Sequence, residues 1–418
     1  MRRVAWAGSC VAFALALCAA SRAELPVEQP GRVAVLPSPA QSHWIVVSDF
    51  VLQRSALLDL DAGAFLGMFS TGHGVQEAAY PHSRPEFYLP ETYYSRGSRG
   101  TRSDVVSVYD AATLAPIAEI PIPPKRATNT LATGNVALSD DDRFLAIFNM
   151  TPATSLSIVD VAARVFVADV AAPGCGLVYA AGPRSFLMLC ADGALLRIAL
   201  GEEGRALRLE RSAPFFDPQL DPVTEKAVRS GDRWIFVSFE GQVYEVDLAA
   251  AAPRFETPWS LCDAADRAAS WRIGGSQHLA LHESTGRLFA LMHQGGPDSH
   301  KDHGTELWVF DLASRRRVQR IPARHPGLEI LGESLAFGRD WFPPFDGLYD
   351  WLLDHVAPNP GVDRVVVTQD PHPLLATSSE RGGSLGIYDG LTGEFLRRVG
   401  SGSISPSGLA APFGAASR

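Results

Sequence analysis

The sequence contains few of the features that mark a cofactor-binding, membrane-spanning or nucleic-acid-binding protein. It has no Gly-Lys-Ser/Thr phosphate loop, no Cys-x-x-Cys-His haem site and no Gly-x-Gly-x-x-Gly dinucleotide fingerprint. The 37 basic residues are outnumbered by 46 acidic ones, so a nucleic-acid partner is not expected. No segment keeps a helical apolar period for long, and no apolar run reaches the about 20 residues of a spanning helix.

The N-terminus has the pattern of a secretory signal peptide. Arg2 and Arg3 precede an uncharged stretch, and the small residues Ser21 and Ala23 precede a cleavage site after Ala23. A lipoprotein signal ending at Cys18 and a twin-arginine signal are weaker alternatives. Removing residues 1–23 removes three arginines and no acid, so the mature net charge is 34 minus 46, or −12. We therefore expect an exported, acidic protein with residues 24–418 as its folded domain.

The cysteines suggest one disulfide. Cys10 and Cys18 leave with the signal peptide, and Cys175, Cys190 and Cys262 remain. In an oxidising compartment two of these three are expected to pair. Cys175 and Cys190 are the favoured pair because they lie on adjacent short strands separated by one turn. Cys262 is then predicted to be a buried free thiol.

A recurring strand ending predicts the fold. Thirty prolines and 37 glycines separate short apolar runs, which is typical of an all-β chain. Seven of these runs end in a recurring residue pair whose second member is six times Asp and once Leu. The second members are at positions 59, 110, 160, 200, 247, 311 and 389. Four of the six intervals between them, 51, 50, 40 and 47 residues, are close to the length of one propeller blade. We therefore predict a seven-bladed β-propeller.

The other two intervals, of 64 and 78 residues, indicate insertions. The first contains Ala249–Ala269 and the loop Gln294–Thr305. The second contains an aromatic segment, about residues 331–363, in which Asp346, Asp350 and Asp354 recur every fourth residue. This insertion is predicted to cover the propeller itself or to contact a partner.

Two local patterns resemble catalytic or metal motifs. Gly382-Gly383-Ser384-Leu385-Gly386 has the spelling of a hydrolase nucleophile elbow, but a strand is predicted where that motif needs a helix, which favours a hairpin turn. The loop 293–304 carries three histidines and two aspartates without a fixed ligand spacing. It is interpreted as a structural or interface loop, with metal binding as the alternative.

Several stretches resemble the large (heavy) subunit of methylamine and aromatic amine dehydrogenases. They are Pro173–Cys175, Phe186–Gly193, Trp271–Gly275, and Ser299–Lys301 followed by Gly304–Asp311. The similarity runs from about Gly31 to the C-terminus and is interrupted by the insertion. The cysteine pair and the block His-Lys-x-x-Gly-Thr-Glu-x-Trp-Val-Phe-Asp are its most specific parts.

The resemblance implies a periplasmic heterotetramer of two large and two small subunits. It implies that the small subunit carries tryptophan tryptophylquinone and the catalytic Asp base, whereas this chain has no cofactor, no metal and no catalytic residue. The complex would oxidise small primary amines to aldehyde and ammonia and pass electrons to a blue copper protein of the amicyanin or azurin type. A large-subunit phenylalanine lines the family's substrate channel, and Phe50 or Leu52 is the expected counterpart here; an ordinary blade residue is the alternative for Phe50.

Two other functions are compatible with the sequence. One is a stand-alone exported propeller that binds a ligand without catalysis. The other is the propeller subunit of a haem-containing amine dehydrogenase with a different quinone.

Overall fold

The structure is a computed structural model. It describes residues 35–37, 40–130, 133–250, 252–326, 329–330, 333–334, 351, 355–380 and 383–413. The predicted signal peptide, 1–23, lies outside these residues, as does most of the predicted insertion 331–363.

The chain from Leu36 onward forms seven antiparallel blades of a β-propeller, which confirms the predicted fold class. The strands of blades 1 to 3 are β1 Trp44–Asp49, β2 Arg54–Asp59, β3 Ala64–Ser70, β4 Glu86–Tyr94, β5 Arg102–Asp110, β6 Pro116–Ile122, β7 Val136–Leu138, β8 Phe144–Asn149, β9 Ser155–Asp160 and β10 Val165–Ala171. Those of blades 4 and 5 are β11 Cys175–Ala180, β12 Ser185–Cys190, β13 Leu195–Leu200, β14 Ala206–Arg211, β15 Val228–Ser230, β16 Arg233–Val237, β17 Gln242–Asp247, β18 Arg254–Phe255 and β19 Trp259–Ser260.

The remaining strands are β20 Trp271–Ile273, β21 Leu279–His282, β22 Arg287–Gln294, β23 Glu306–Asp311, β24 Arg316–Pro322, the short pair β25 Glu329–Ile330 and β26 Glu333–Ser334, then β27 Arg364–Val367, β28 Leu374–Ser378, β29 Ser384–Asp389, β30 Phe395–Gly400 and β31 Pro406–Ala410. The short α-helix α1 Ala264–Ala268 lies between blades 5 and 6. It follows β18 and β19, so the long segment Ala249–Ala269 has secondary structure of its own. No helix among the described residues is long and apolar enough to cross a membrane.

Each predicted strand ending lies at the end of the third strand of a blade, where the innermost strand of blade 2 is the segment at Ala79 that bridges to Tyr88. The carboxylate of Asp389, for example, accepts hydrogen bonds from the amides of Leu391 (2.8 Å) and Thr392 (2.7 Å) in the turn that follows. Asp59 makes the same contacts with Asp61 and Ala62. A short acidic side chain is favoured at this position because it accepts hydrogen bonds from turn amides that have no backbone partner in a neighbouring strand.

The core lies between blades rather than inside one layer. The middle strands β8 and β9 are buried along their whole length, whereas the outer strand β24 alternates exposed residues with half-buried or buried ones. Six apolar clusters fill the spaces between neighbouring blades. A single sheet cannot cover both of its faces, so the blades must stack around an axis.

Cys175 and Cys190 form the predicted disulfide. They are directly opposite each other on β11 and β12, with their Cα atoms 3.9 Å apart. Cys262 is a buried free thiol, as predicted, and its burial raises the pKa of the thiol to about 11.

Both ends of the folded chain contribute to blade 1. The last strand, β31, pairs with β1 as the innermost strand of that blade. His43 also bridges blades 1 and 7, because its Nδ1 contacts Asp61 (2.7 Å) and its Nε2 contacts Asp370 (3.2 Å). Burial opposes the charged form of His43, but its hydrogen bonds and charge interactions with the two aspartates raise its pKa.

Antiparallel pairing assigns the loops to two faces. The turn between the second and third strands of each blade lies at the same end as the connection to the next blade. We call this end the lower face. It carries the turn 50–53 and the loop 295–305.

Candidate functional site

The candidate site is the channel along the propeller axis, where the innermost strands meet. It encloses a cavity of about 660 Å³ lined by residues of blades 1, 2, 3, 5, 6 and 7. The polar and charged residues of its wall include Glu77, Lys226, Arg229, Lys301, His303, Asp363, Arg364 and Glu380. A second cavity, of about 300 Å³, shares Glu77 and Arg229 with the first and extends towards blade 4. Concave sites of this size are where propellers bind ligands or admit partners.

The turn between β1 and β2 lies beside this channel. Phe50 lines the cavity and is 40% exposed. Leu52 is in the same turn and 38% exposed, but it does not line the cavity. The structure therefore places only Phe50 of the two predicted channel residues at the channel, and its role towards substrate stays a prediction.

Asp49 fixes this turn and joins it to the C-terminal segment. Its carboxylate accepts hydrogen bonds from the amide of Leu52 (2.7 Å), the hydroxyl of Ser403 (2.7 Å) and the amides of Ile404 (2.9 Å) and Ser405 (3.3 Å). Burial alone would raise the pKa of Asp49, but these four hydrogen bonds lower it below its ordinary value. Asp49 was not predicted from the sequence, where its only signal is its position directly before the predicted channel residue Phe50.

Glu77 is the acid on the blade 2 side of the channel. Its Oε1 accepts from the amide of Gly134 (3.0 Å) and its Oε2 from that of Asn135 (2.7 Å), so the carboxyl group links blades 2 and 3. It lies deep in the molecule although it faces the channel. Burial raises its pKa to about 7, and the amide hydrogen bonds oppose this shift only in part.

Three cations of the channel wall have acidic partners. Arg229 donates from Nη1 (2.6 Å) and Nη2 (2.7 Å) to the two carboxylate oxygens of Asp140. Lys226 pairs with Glu225, and Arg364 pairs with Asp363. No sequence motif indicated these groups, because the channel is lined by segments that lie far apart in the chain.

The histidine-rich loop 293–304 begins at the end of β22 in blade 6 and leads towards β23. Part of it, including His303, lines the channel. His293 contacts the hydroxyl of Ser299 (2.9 Å), His300 stacks on Phe239 with ring centroids 3.4 Å apart, and His303 lines the channel. The three side chains thus have three different surroundings. Within the described ranges no group of three or more His, Cys, Asp or Glu is arranged to hold a metal ion.

Ser384 is a strand residue. It opens β29, and its buried hydroxyl donates to the carbonyl of Pro326 (2.6 Å). The preference for a hairpin over a nucleophile elbow is therefore confirmed.

Comparisons with known proteins agree on one family. The family model described as methylamine dehydrogenase heavy chain matches residues 34–336. The chain is 27% identical over 350 residues to the methylamine dehydrogenase heavy chain of Paracoccus versutus, covering 83% of this chain and 73% of that protein. It is 24% identical over 413 residues to that of Methylobacillus flagellatus, covering 94% of each.

Two solved structures share the fold. Dihydro-heme d1 dehydrogenase NirN in complex with DHE matches with a TM-score of 0.52 at 17% identity, covering 92% of this chain and 79% of that one. A functionally unknown protein from Desulfotomaculum acetoxidans matches with a TM-score of 0.55 at 11% identity, covering 88% and 98%. At these identities the likeness concerns architecture alone.

Proposed function

The chain belongs to the methylamine dehydrogenase heavy chain family, and on that premise we propose that it is the large, cofactor-free subunit of a periplasmic amine dehydrogenase. Its partner would be a small subunit that carries tryptophan tryptophylquinone, in a complex of two large and two small subunits. The complex would convert small primary amines to aldehyde and ammonia and pass the electrons to a blue copper protein. The observation that carries the proposal is the family match, which spans residues 34–336.

The surface around the channel supports a partner on the lower face. Phe50, Val51 and Leu52 are 40%, 58% and 38% exposed, and Ile404 is 40% exposed. The two segments meet because Asp49 binds the backbone of both. Neighbouring exposed apolar side chains on a rigid support are typical of an interaction surface.

Two tryptophans in the described part of the chain lie close together, but their surroundings do not suit cofactor formation. Trp271 and Trp308 have ring centroids 5.2 Å apart, but Trp308 is fully buried and its indole N–H donates to Glu306 (2.7 Å). Arg317 and Arg320 also lie over the Trp308 ring, with guanidinium carbons 4.1 and 4.9 Å from its centroid. These contacts belong to the packing of blade 6, which supports a quinone on the partner rather than here.

The quinone would supply the electrophilic carbonyl and accept the electrons. This chain would bind the small subunit, exclude water from its face and shape the access of amine beside Phe50. The purified chain is expected to oxidise neither methylamine nor phenylethylamine with a dye as electron acceptor. Adding the quinone-bearing small subunit should give turnover of at least one of them. Amine turnover by the pure chain would overturn the division of labour proposed here.

A further inference from the structure

Arg364 is a channel residue with unused hydrogen-bonding capacity. It begins β27, its side chain is 6% exposed, and it lines the axial cavity. A guanidinium carries five N–H donors, and burying them without acceptors is costly. The partners of this side chain therefore indicate what else the channel holds.

Only one corner of the guanidinium is paired. Nη1 donates to both carboxylate oxygens of Asp363, at 2.9 and 3.0 Å. Among the described residues, Nε is buried without an acceptor, and no hydrogen bond from Nη2 is present. Nε–H and Nη2–H form one planar edge of the guanidinium, and that edge matches the two oxygens of a carboxylate.

The surroundings favour an anion with a single charge. Lys226 and Lys301 line the same cavity, and Lys301 has no ion pair within the described part of the chain. Asp363 and Glu380 are also close to Arg364 and repel negative charge. These acids partly cancel the positive charge of Arg364, and the cost of burying an anion rises steeply with the anion's charge, so a monoanion is favoured over a dianion.

We propose that the axial channel binds a small monocarboxylate, of the size of formate or acetate, on the Nε/Nη2 edge of Arg364. The ligand's two oxygens accept hydrogen bonds from that edge. This site lies within the large subunit and is independent of the amine chemistry proposed for the partner.

The test is calorimetric titration of the purified full-length mature chain with sodium acetate, with sodium chloride as the ionic-strength control. Arg364→Lys keeps the charge and the pairing with Asp363 but removes the planar edge. Lys301→Gln is the control variant, because it removes a charge from the same channel and leaves the edge intact. Circular dichroism checks that each variant is folded. If Arg364→Lys does not fold, the double variant Asp363→Asn with Arg364→Gln removes the edge without leaving a buried unpaired charge.

We expect saturable binding of one acetate per chain, weakened at least tenfold by Arg364→Lys or the double variant and less than threefold by Lys301→Gln. Equal weakening by the two single variants would show a general charge effect and overturn the assignment. Tighter binding of inorganic phosphate or of methylammonium would overturn the ligand class. Heats that do not differ between acetate and chloride would overturn the site.

Discussion

Replacing Asp49 by Asn tests how the propeller ring is closed. Asp49 accepts four hydrogen bonds, one from the turn 50–53 and three from residues 403–405, and it is 1% exposed. The substitution keeps the size of the side chain, removes its charge, and turns one acceptor oxygen into a donor. At least one amide then loses its acceptor, and the other contacts are no longer charge-assisted.

The size of the effect follows from these losses. A hydrogen bond to a charged group contributes roughly 1.5–3 kcal/mol, and a neutral one about 0.5–1.5 kcal/mol. We therefore expect Asp49→Asn to lower the free energy of unfolding by about 2–3 kcal/mol at pH 7. Because the folded-state pKa of Asp49 is lowered, this stabilisation is fully present above the ordinary carboxyl pKa of 3.8 and is lost as the pH falls through the folded-state value.

Urea unfolding followed by tryptophan fluorescence at pH 7 and in acid measures the difference. Asp59→Asn is the matched control, since Asp59 makes two amide contacts within one turn and joins no distant segments. It should cost about 1 kcal/mol or less. The reasoning is refuted if Asp49→Asn costs no more than this control, or if its cost does not shrink below pH 4.

Further predictions concern the bridge to blade 7, the disulfide, the channel mouth and the insertion. His43→Gln should cost about 1 kcal/mol or less at pH 6, and because its folded-state pKa is raised, the cost should disappear as the pH rises through that value in urea titrations. Replacing Cys175 and Cys190 together by serine should lower the free energy of unfolding by roughly 3 kcal/mol. Peptide mapping of the unmodified protein without reduction should show Cys262 unpaired. Phe50→Ala should change the ratio of kcat/KM for phenylethylamine and methylamine in the complete complex, and an unchanged ratio would remove Phe50 from the access route. Deleting residues 341–355 should leave the circular dichroism of the blades intact but alter complex formation or amine kinetics, and no change in either would show that the segment is merely tolerated.

The sequence was informative where one physical requirement recurs along the chain. Each third strand needs an acceptor for the amides of the next turn, so Asp recurs at the spacing of the blades, as at Asp59 and Asp389. The disulfide was predictable for a related reason, because two neighbouring strands of one blade lie close in sequence. Both are local signals.

The channel could not be predicted in this way. Glu77 and Arg364 lie almost 290 positions apart and line one cavity only because the ring closes. The contact of Asp49 with residues 403–405 likewise depends on β31 returning to β1. Contacts between residues so far apart produce no regular spacing that could be recognised in the sequence. The sequence also could not choose between Phe50, which lines the cavity, and Leu52, which lies two positions further along the same turn and does not line it.

Isolation of the native complex shows whether this chain is a subunit of an amine dehydrogenase. The chain should be purified from the periplasm under non-denaturing conditions, followed by gel electrophoresis and an absorption spectrum. The proposal predicts recovery with an equal number of small subunits and a visible quinone chromophore that an added amine bleaches. A chain recovered alone and colourless would contradict it.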